Sequence, residues 1–174
     1  MRARKILIVL GVLFGVVAGV LRLPAFGAKP SGERRARAER SAHFRDGAFV
    51  NLEPTNKLTP GTFGEMLHHQ FFGDEQRVPP KPPRVLQRTA ADYAAPPASG
   101  LRATWIGHAT VLLEVDGKRV LTDPIFSARC SPFGWMGPKR FAPPPIALDA
   151  LPSIDVVVIS HDHYDHLAMD TVTA

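Results

Sequence analysis

Three of the chain's seven histidines, His161, His163 and His166, fall within six residues, and Asp165 lies between the last two. Imidazole nitrogen and carboxylate oxygen are the donors that a divalent metal of borderline softness prefers, zinc above all. The cluster follows an unbroken aliphatic run, Val156-Val157-Val158-Ile159. On extended backbone, side chains repeat every two residues, so His161 and His163 fall on one side and can chelate one metal. Asp165 and His166 lie where a strand gives way to a turn, and that bend can swing them toward a second metal. Two metals roughly 3.5–4 Å apart stabilise both the attacking and the leaving oxygen of a displacement and lower the pKa of bound water to about 7. Asp165 is thus both a metal ligand and the candidate catalytic carboxylate. A centre of this kind needs no Ser or Cys nucleophile. The sequence holds no Gly-x-Ser-x-Gly and no phosphate-cradling Gly-rich loop, so the competing enzyme classes have no foothold. A structural zinc site usually draws on cysteine, and the chain's one cysteine, Cys130, is far from the cluster in sequence.

The elements that must position these residues begin near Leu101. Ala103 to Ile106 reads as a strand, and Ala109 to Val115 as a second, with Val111, Leu113 and Val115 on one face. Asp116-Gly117 is the strongest short hairpin signal, and Lys118 to Thr122 is the return strand. Asp123-Pro124 then places a carboxylate at a strand end, where clefts form. Ile125 to Leu151 is a long connection rich in Pro, Gly and aromatics, expected to cover part of a cleft. Ile154 to Ser160 reads as a strand buried on both faces, and a helix is expected from Leu167 to Val172.

Residues 48–100 show little period. Thr62 is expected to cap a short helix from Phe63 to Phe72, with Phe63, Met66, Leu67 and Phe71 packed on one side. Pro79-Pro80-Lys81-Pro82-Pro83 excludes helix and central strand. These residues form a Pro-rich extension ahead of the domain at 101–174.

The formal charge of +5 is unevenly placed. Residues 1–40 carry +7 and residues 41–174 carry −2. The excess flanks an uncharged apolar run from Ile6 to Leu21, a pattern that belongs to membrane insertion and anionic lipid. Residues 1–28 are therefore expected to be a signal peptide or a membrane anchor. Ala25-Phe26-Gly27 favours cleavage, and Arg22 favours a retained anchor. Residues 29–47 read as a polar, basic linker. The catalytic part is expected to be exported, and either membrane-anchored or lodged in the periplasm or cell envelope. No basic stripe with interleaved aromatics appears, so nucleic acid is not an expected partner.

His161-Asp-His-Tyr-Asp-His166 after such a strand resembles the signature of the metallo-β-lactamase superfamily. Trp105-Ile-Gly-His-Ala-Thr110, Leu121-Thr-Asp-Pro-Ile-Phe-Ser127 and Met136-Gly-Pro-Lys-Arg-Phe141 narrow the likeness. Together these motifs are similar to the branch that contains N-acylphosphatidylethanolamine-hydrolysing phospholipase D and its bacterial relatives. The resemblance is good over residues 101–174 and looser over 43–100. It implies an α+β fold, the N-terminal part of an αββα sandwich with the metals at one edge of the two sheets. It implies two divalent ions, most simply zinc, the first on His161 and His163, the second on Asp165 and His166. Asp123 would support the ligand loop from behind, and His108 would stand near the cleft. The resemblance further implies a phospholipid or other small-molecule ester as substrate. A lactone or ester hydrolase on the same scaffold is the alternative activity, and a non-catalytic envelope protein with a remnant metal site is the alternative class. In relatives, a third histidine for the first metal, a bridging aspartate and a last histidine lie well downstream. Eight residues follow His166 here and none is histidine. The expectation is therefore a fragment of a longer protein, inactive alone.

Overall fold

The structure is a computed structural model that describes residues 2–53, 59, 61–74 and 76–174. The chain divides into two compact units, Met1–Arg77 and Val78–Ala174.

In the first unit, α1 spans Arg2–Val20. Its uncharged part, from Ile6 to Val20, is about 22 Å long at about 1.5 Å per residue. That is short of the roughly 30 Å of a hydrocarbon core. Among the described residues no helix is long and apolar enough to cross a membrane. Pro24 opens a 3₁₀ turn soon after the helix. Helix α2 (Gly32–Glu39) is solvated and carries an Arg35–Glu39 pair at 2.6 Å, one turn apart. β1 (Phe44–Arg45) and β2 (Ala48–Phe49) form a minimal hairpin. Its turn residues Asp46 and Gly47 both take positive φ, the requirement of a primed turn. Helix α3 runs Thr62–Phe72, but its cap is Gly61 and Thr62 is its first helical residue. Gly61 holds φ +96, which a threonine would resist, so glycine rather than threonine takes the cap. Pro60 lies outside the described residues. The apolar side of α3 does not pack as expected: Phe63, Met66, Leu67 and Phe71 are all exposed.

The second unit is built on one four-stranded sheet. β3 (Leu101–Gly107), β4 (Thr110–Val115) and β5 (Lys118–Thr122) are an antiparallel meander. Asp116 and Gly117 close the second hairpin with φ of 50° and 75°, the backbone that Asp-Gly favours. Alternate residues of β4 turn inward, and Leu112 is fully buried. Around it pack Ile106, Leu121, Ile146 and Tyr93. Tyr93 comes from ahead of the sheet, in a 3₁₀ turn whose start is tied by Thr89 and Asp92 in a reciprocal capping box. Arg102 donates to the carbonyls of Asp92 and Ala95, and Arg119 to that of Tyr93, so this segment is strapped to the strands.

β6 (Val156–Val158) joins β5 in parallel. It is shorter than the strand expected over Ile154 to Ser160, and it is not buried: Val157 is 51% exposed. β6 is the outermost strand and pairs on one side only. The aliphatic run therefore meets solvent on both faces. α4 (Met169–Val172) is a single helical turn begun by the buried Ala168.

Candidate metal centre

The centre gathers at the ends of β3, β5 and β6. The backbone N–H of Asp123 donates to the carbonyl of Val158 at 2.8 Å, so the exits of β5 and β6 stay side by side. Thr110, fully buried, donates its hydroxyl to the Asp123 carbonyl at 2.7 Å and accepts the Ile125 amide at 3.1 Å. These bonds hold Asp123 at φ +36, a backbone that aspartate tolerates better than most residues.

The Asp123 carboxylate then organises the ligand loop. Oδ1 accepts the backbone N–H of Ser160 at 2.7 Å, and Oδ2 accepts the Ser160 hydroxyl at 2.9 Å. Oδ2 also accepts Nδ1–H of His166 at 3.0 Å. A carboxylate can only accept, so the His166 proton sits on Nδ1 and Nε2 keeps its lone pair. The Ser160 hydroxyl spends its hydrogen on Asp123, so at 2.9 Å it accepts from Nδ1 of His161. Nε2 of His161 is thereby also left as a donor to a metal. Burial pushes the Asp123 carboxyl up, but the hydrogen bonds from His166 and Ser160 outweigh it and the net shift is downward. Asp123 therefore stays ionised.

Around this loop the imidazole rings converge. The centroids of His161 and His163 are 4.6 Å apart, and those of His161 and His166 are 4.0 Å apart. Asp165 Oδ2 lies 3.6 Å from Nε2 of His166 and 3.0 Å from Nε2 of His108. Burial pushes the Asp165 carboxyl up, but the hydrogen bond from its own backbone, the nearby His166 and the hydrogen bond from His108 outweigh it, and the net shift is downward. One atom from each of His108, Asp165 and His166 falls within 4.8 Å of the others. The structure thus brings the rings of His161, His163 and His166 close to one another and gathers His108, Asp165 and His166 at their donor atoms, with Asp123 bonded to His166. The donor types suit a borderline divalent ion: imidazole nitrogens, two of them on rings held by hydrogen bonds from behind, plus a carboxylate.

Sequence reasoning gave no role to the residues that hold His108. A bulge between Trp105 and Gly107 breaks the β3–β4 register and re-aims the turn. The Trp105 indole N–H donates to the His108 carbonyl at 2.9 Å. From the long connection, Arg140 donates to the carbonyls of Ile106, Ser127 and Ile125. A Cβ on Gly107 would sit 2.5 Å from an Arg140 guanidinium nitrogen, so glycine makes the room for that side chain. Arg140 lies within the Met136-Gly-Pro-Lys-Arg-Phe141 motif, and the recurrence of that motif in the resemblance was the available signal.

Comparison with known proteins agrees with this construction. Residues 102–174 match the family model described as a beta-lactamase superfamily domain. An uncharacterised protein of Mycobacterium tuberculosis is 45% identical over 147 residues, 80% of this chain and 37% of that protein. A Caenorhabditis elegans protein named N-acyl-phosphatidylethanolamine-hydrolyzing phospholipase D 1 is 44% identical over 104 residues, 60% of this chain and 29% of its own length. A Metallosphaera sedula protein named a metal-dependent hydrolase is 38% identical over 63 residues, 36% of this chain and 23% of its own. The chain spans about a third or less of the length of these relatives. Over residues 102–174, where the histidine and aspartate cluster lies, the chain is similar to the metallo-β-lactamase superfamily.

Proposed function

We propose that the chain contributes metal-binding residues to an envelope-associated, zinc-dependent hydrolase that cleaves phosphodiesters of N-acylphosphatidylethanolamine-like phospholipids. The observation that carries this reading is the convergence of His161, His163, Asp165 and His166 over the Asp123 carboxylate. His161 and His163 hold one metal, and Asp165 and His166 a second. Bound metal supplies an activated water and neutralises charge that builds on the phosphoryl oxygens. Asp123 keeps the His166 proton on Nδ1 and ties down Ser160, so the ligand loop is set before metal arrives. The substrate class follows the printed name of the Caenorhabditis elegans relative. The basic, apolar N-terminal segment suits a protein that works at a lipid surface, as an anchor or as an export signal.

The test is a chimera. The segment of the Caenorhabditis elegans relative that matches this chain is replaced by this chain's residues. The chimera is assayed on N-acylphosphatidylethanolamine and on lactones. Release of phosphatidic acid that stops with His161→Ala and Asp165→Ala supports the proposal. Turnover of lactones alone moves the reading to an ester hydrolase. No turnover of either, with zinc bound, leaves a metal-binding envelope protein.

A further inference from the structure

We propose that the hairpin at residues 128–140 is a lipid-docking element that seats Trp135 and Met136 in the interface of an anionic membrane beside the candidate metal centre. The choice of a lipid partner rests on the function proposed above. The hairpin itself is a surface that this function does not otherwise use.

Composition and exposure set the surface. From Ile125 to Leu148 the connection carries Arg129, Lys139 and Arg140 and no acidic residue. At the tip of the hairpin Trp135 is 77% exposed, and Met136 beside it is exposed as well. The ring of Phe133 lies against Trp135, with centroids 5.8 Å apart. Tryptophan favours the boundary between water and hydrocarbon, and lysine and arginine are drawn to anionic headgroups.

The tip is held in place by its own backbone. The Arg140 amide donates to the Ala128 carbonyl at 3.0 Å and the Cys130 amide to that of Pro138 at 3.1 Å, around a bridge between Arg129 and Lys139. Across the turn, the Met136 amide donates to the Phe133 carbonyl at 3.1 Å, and the Phe133 amide to the Ser131 hydroxyl at 3.2 Å. The Arg129 guanidinium donates to the Gly137 carbonyl at 2.6 Å. Pro132 and Pro138 bring no N–H. Unpaired backbone groups oppose entry into lipid, and these bonds lessen that cost. The stem also places the tip. Arg140 donates to the carbonyl of Ile106, two residues before His108, whose imidazole lies 3.0 Å from the Asp165 carboxylate. A headgroup layer met by the tip therefore lies next to these residues, where a phosphodiester has to arrive.

Tryptophan fluorescence of the whole chain tests this without metal or turnover, because Trp105 and Trp135 are its two tryptophans. The vesicles combine phosphatidylglycerol with phosphatidylcholine brominated on its acyl chains. Trp105→Phe and Trp135→Phe separate the two signals, and thermal melts confirm that both variants fold. The expected result is a blue-shifted emission, quenched by bromine, that persists in Trp105→Phe and is lost in Trp135→Phe. Lys139→Gln should raise the vesicle concentration giving half the shift by about fivefold, the effect of one basic residue near an anionic surface. A chain that sediments with the vesicles while Trp135 stays unshifted and unquenched is held by its N-terminal segment alone, which would overturn the proposal, as would no sedimentation at all. A shift that appears without vesicles and grows with protein concentration assigns the tip to a second copy of the chain and overturns it too. A lipid-seated Trp135 beside an inactive chimera sinks the hydrolase reading alone. An active chimera with Trp135 unquenched in this chain sinks the docking role alone.

Discussion

Nδ1 of His166 lies 3.0 Å from Oδ2 of Asp123, across 43 residues of sequence. This bond fixes the tautomer of His166 and joins the exit of β5 to the loop after β6. Asp123→Asn keeps the size and the tolerance for positive φ but removes the negative charge. Zinc affinity should fall by about 10–100-fold, the usual cost of losing a carboxylate behind a metal-bound histidine. Competition with a chromophoric chelator measures it.

Gly107 stands at φ +138 with the Arg140 guanidinium where a side chain would be. Gly107→Ala should destabilise the chain by about 1–3 kcal/mol through backbone strain alone. Urea unfolding gives the value.

Glu114 is 4% exposed, yet it sits between the guanidinium groups of Arg102 and Arg119. The hydrogen bond from Arg102, and less so that from Arg119, holds its carboxyl below the ordinary value against the opposing effect of burial. The same two arginines strap the Tyr93 segment to the sheet. Glu114→Gln should cost about 1.5–3 kcal/mol, the range for hydrogen bonds to charged groups. Unfolding at neutral pH reads it, and a loss under about 0.5 kcal/mol, the scale of an ordinary surface substitution, would show that the network is idle.

Asp155 sets the start of β6. Its carboxylate accepts the Arg119 amide at 2.9 Å and Lys118 Nζ at 3.0 Å, and these bonds lower its pKa. A carboxyl lowered on folding binds fewer protons in the folded state than in the unfolded one. Its stabilisation is present above the unfolded value of about 3.9 and is lost as pH falls through the folded value. Asp155→Asn should therefore be less stable than the parent at neutral pH, with the gap closing in acid. Thermal melts of both proteins across that range check the sign.

The hairpin at Asp116-Gly117 was legible because a two-residue turn is specified locally, by residues that accept positive φ. The clustering of His161, His163, Asp165 and His166 was legible because four donors fall within six residues at the end of an aliphatic run. Burial of β6 was misread, since a run of valines says that a strand can be covered and not whether an element covers it. Tyr93 was missed as core because the Pro-rich stretch around it has no period, and its anchoring comes from Arg102 and Arg119 on other strands. Arg140 was missed for the same reason. Its carbonyl partners at Ile106, Ile125 and Ser127 lie 13 to 34 residues away, and no local pattern encodes them.

His161, His163, Asp165 and His166 are proposed to bind divalent metal as a set. Equilibrium dialysis of the purified chain against zinc tests it most directly, beside a variant with all four changed to alanine and shown to melt like the parent. Zinc bound by the chain and lost from the variant is the expected outcome. Equal uptake by both, or none by the chain, would contradict the account.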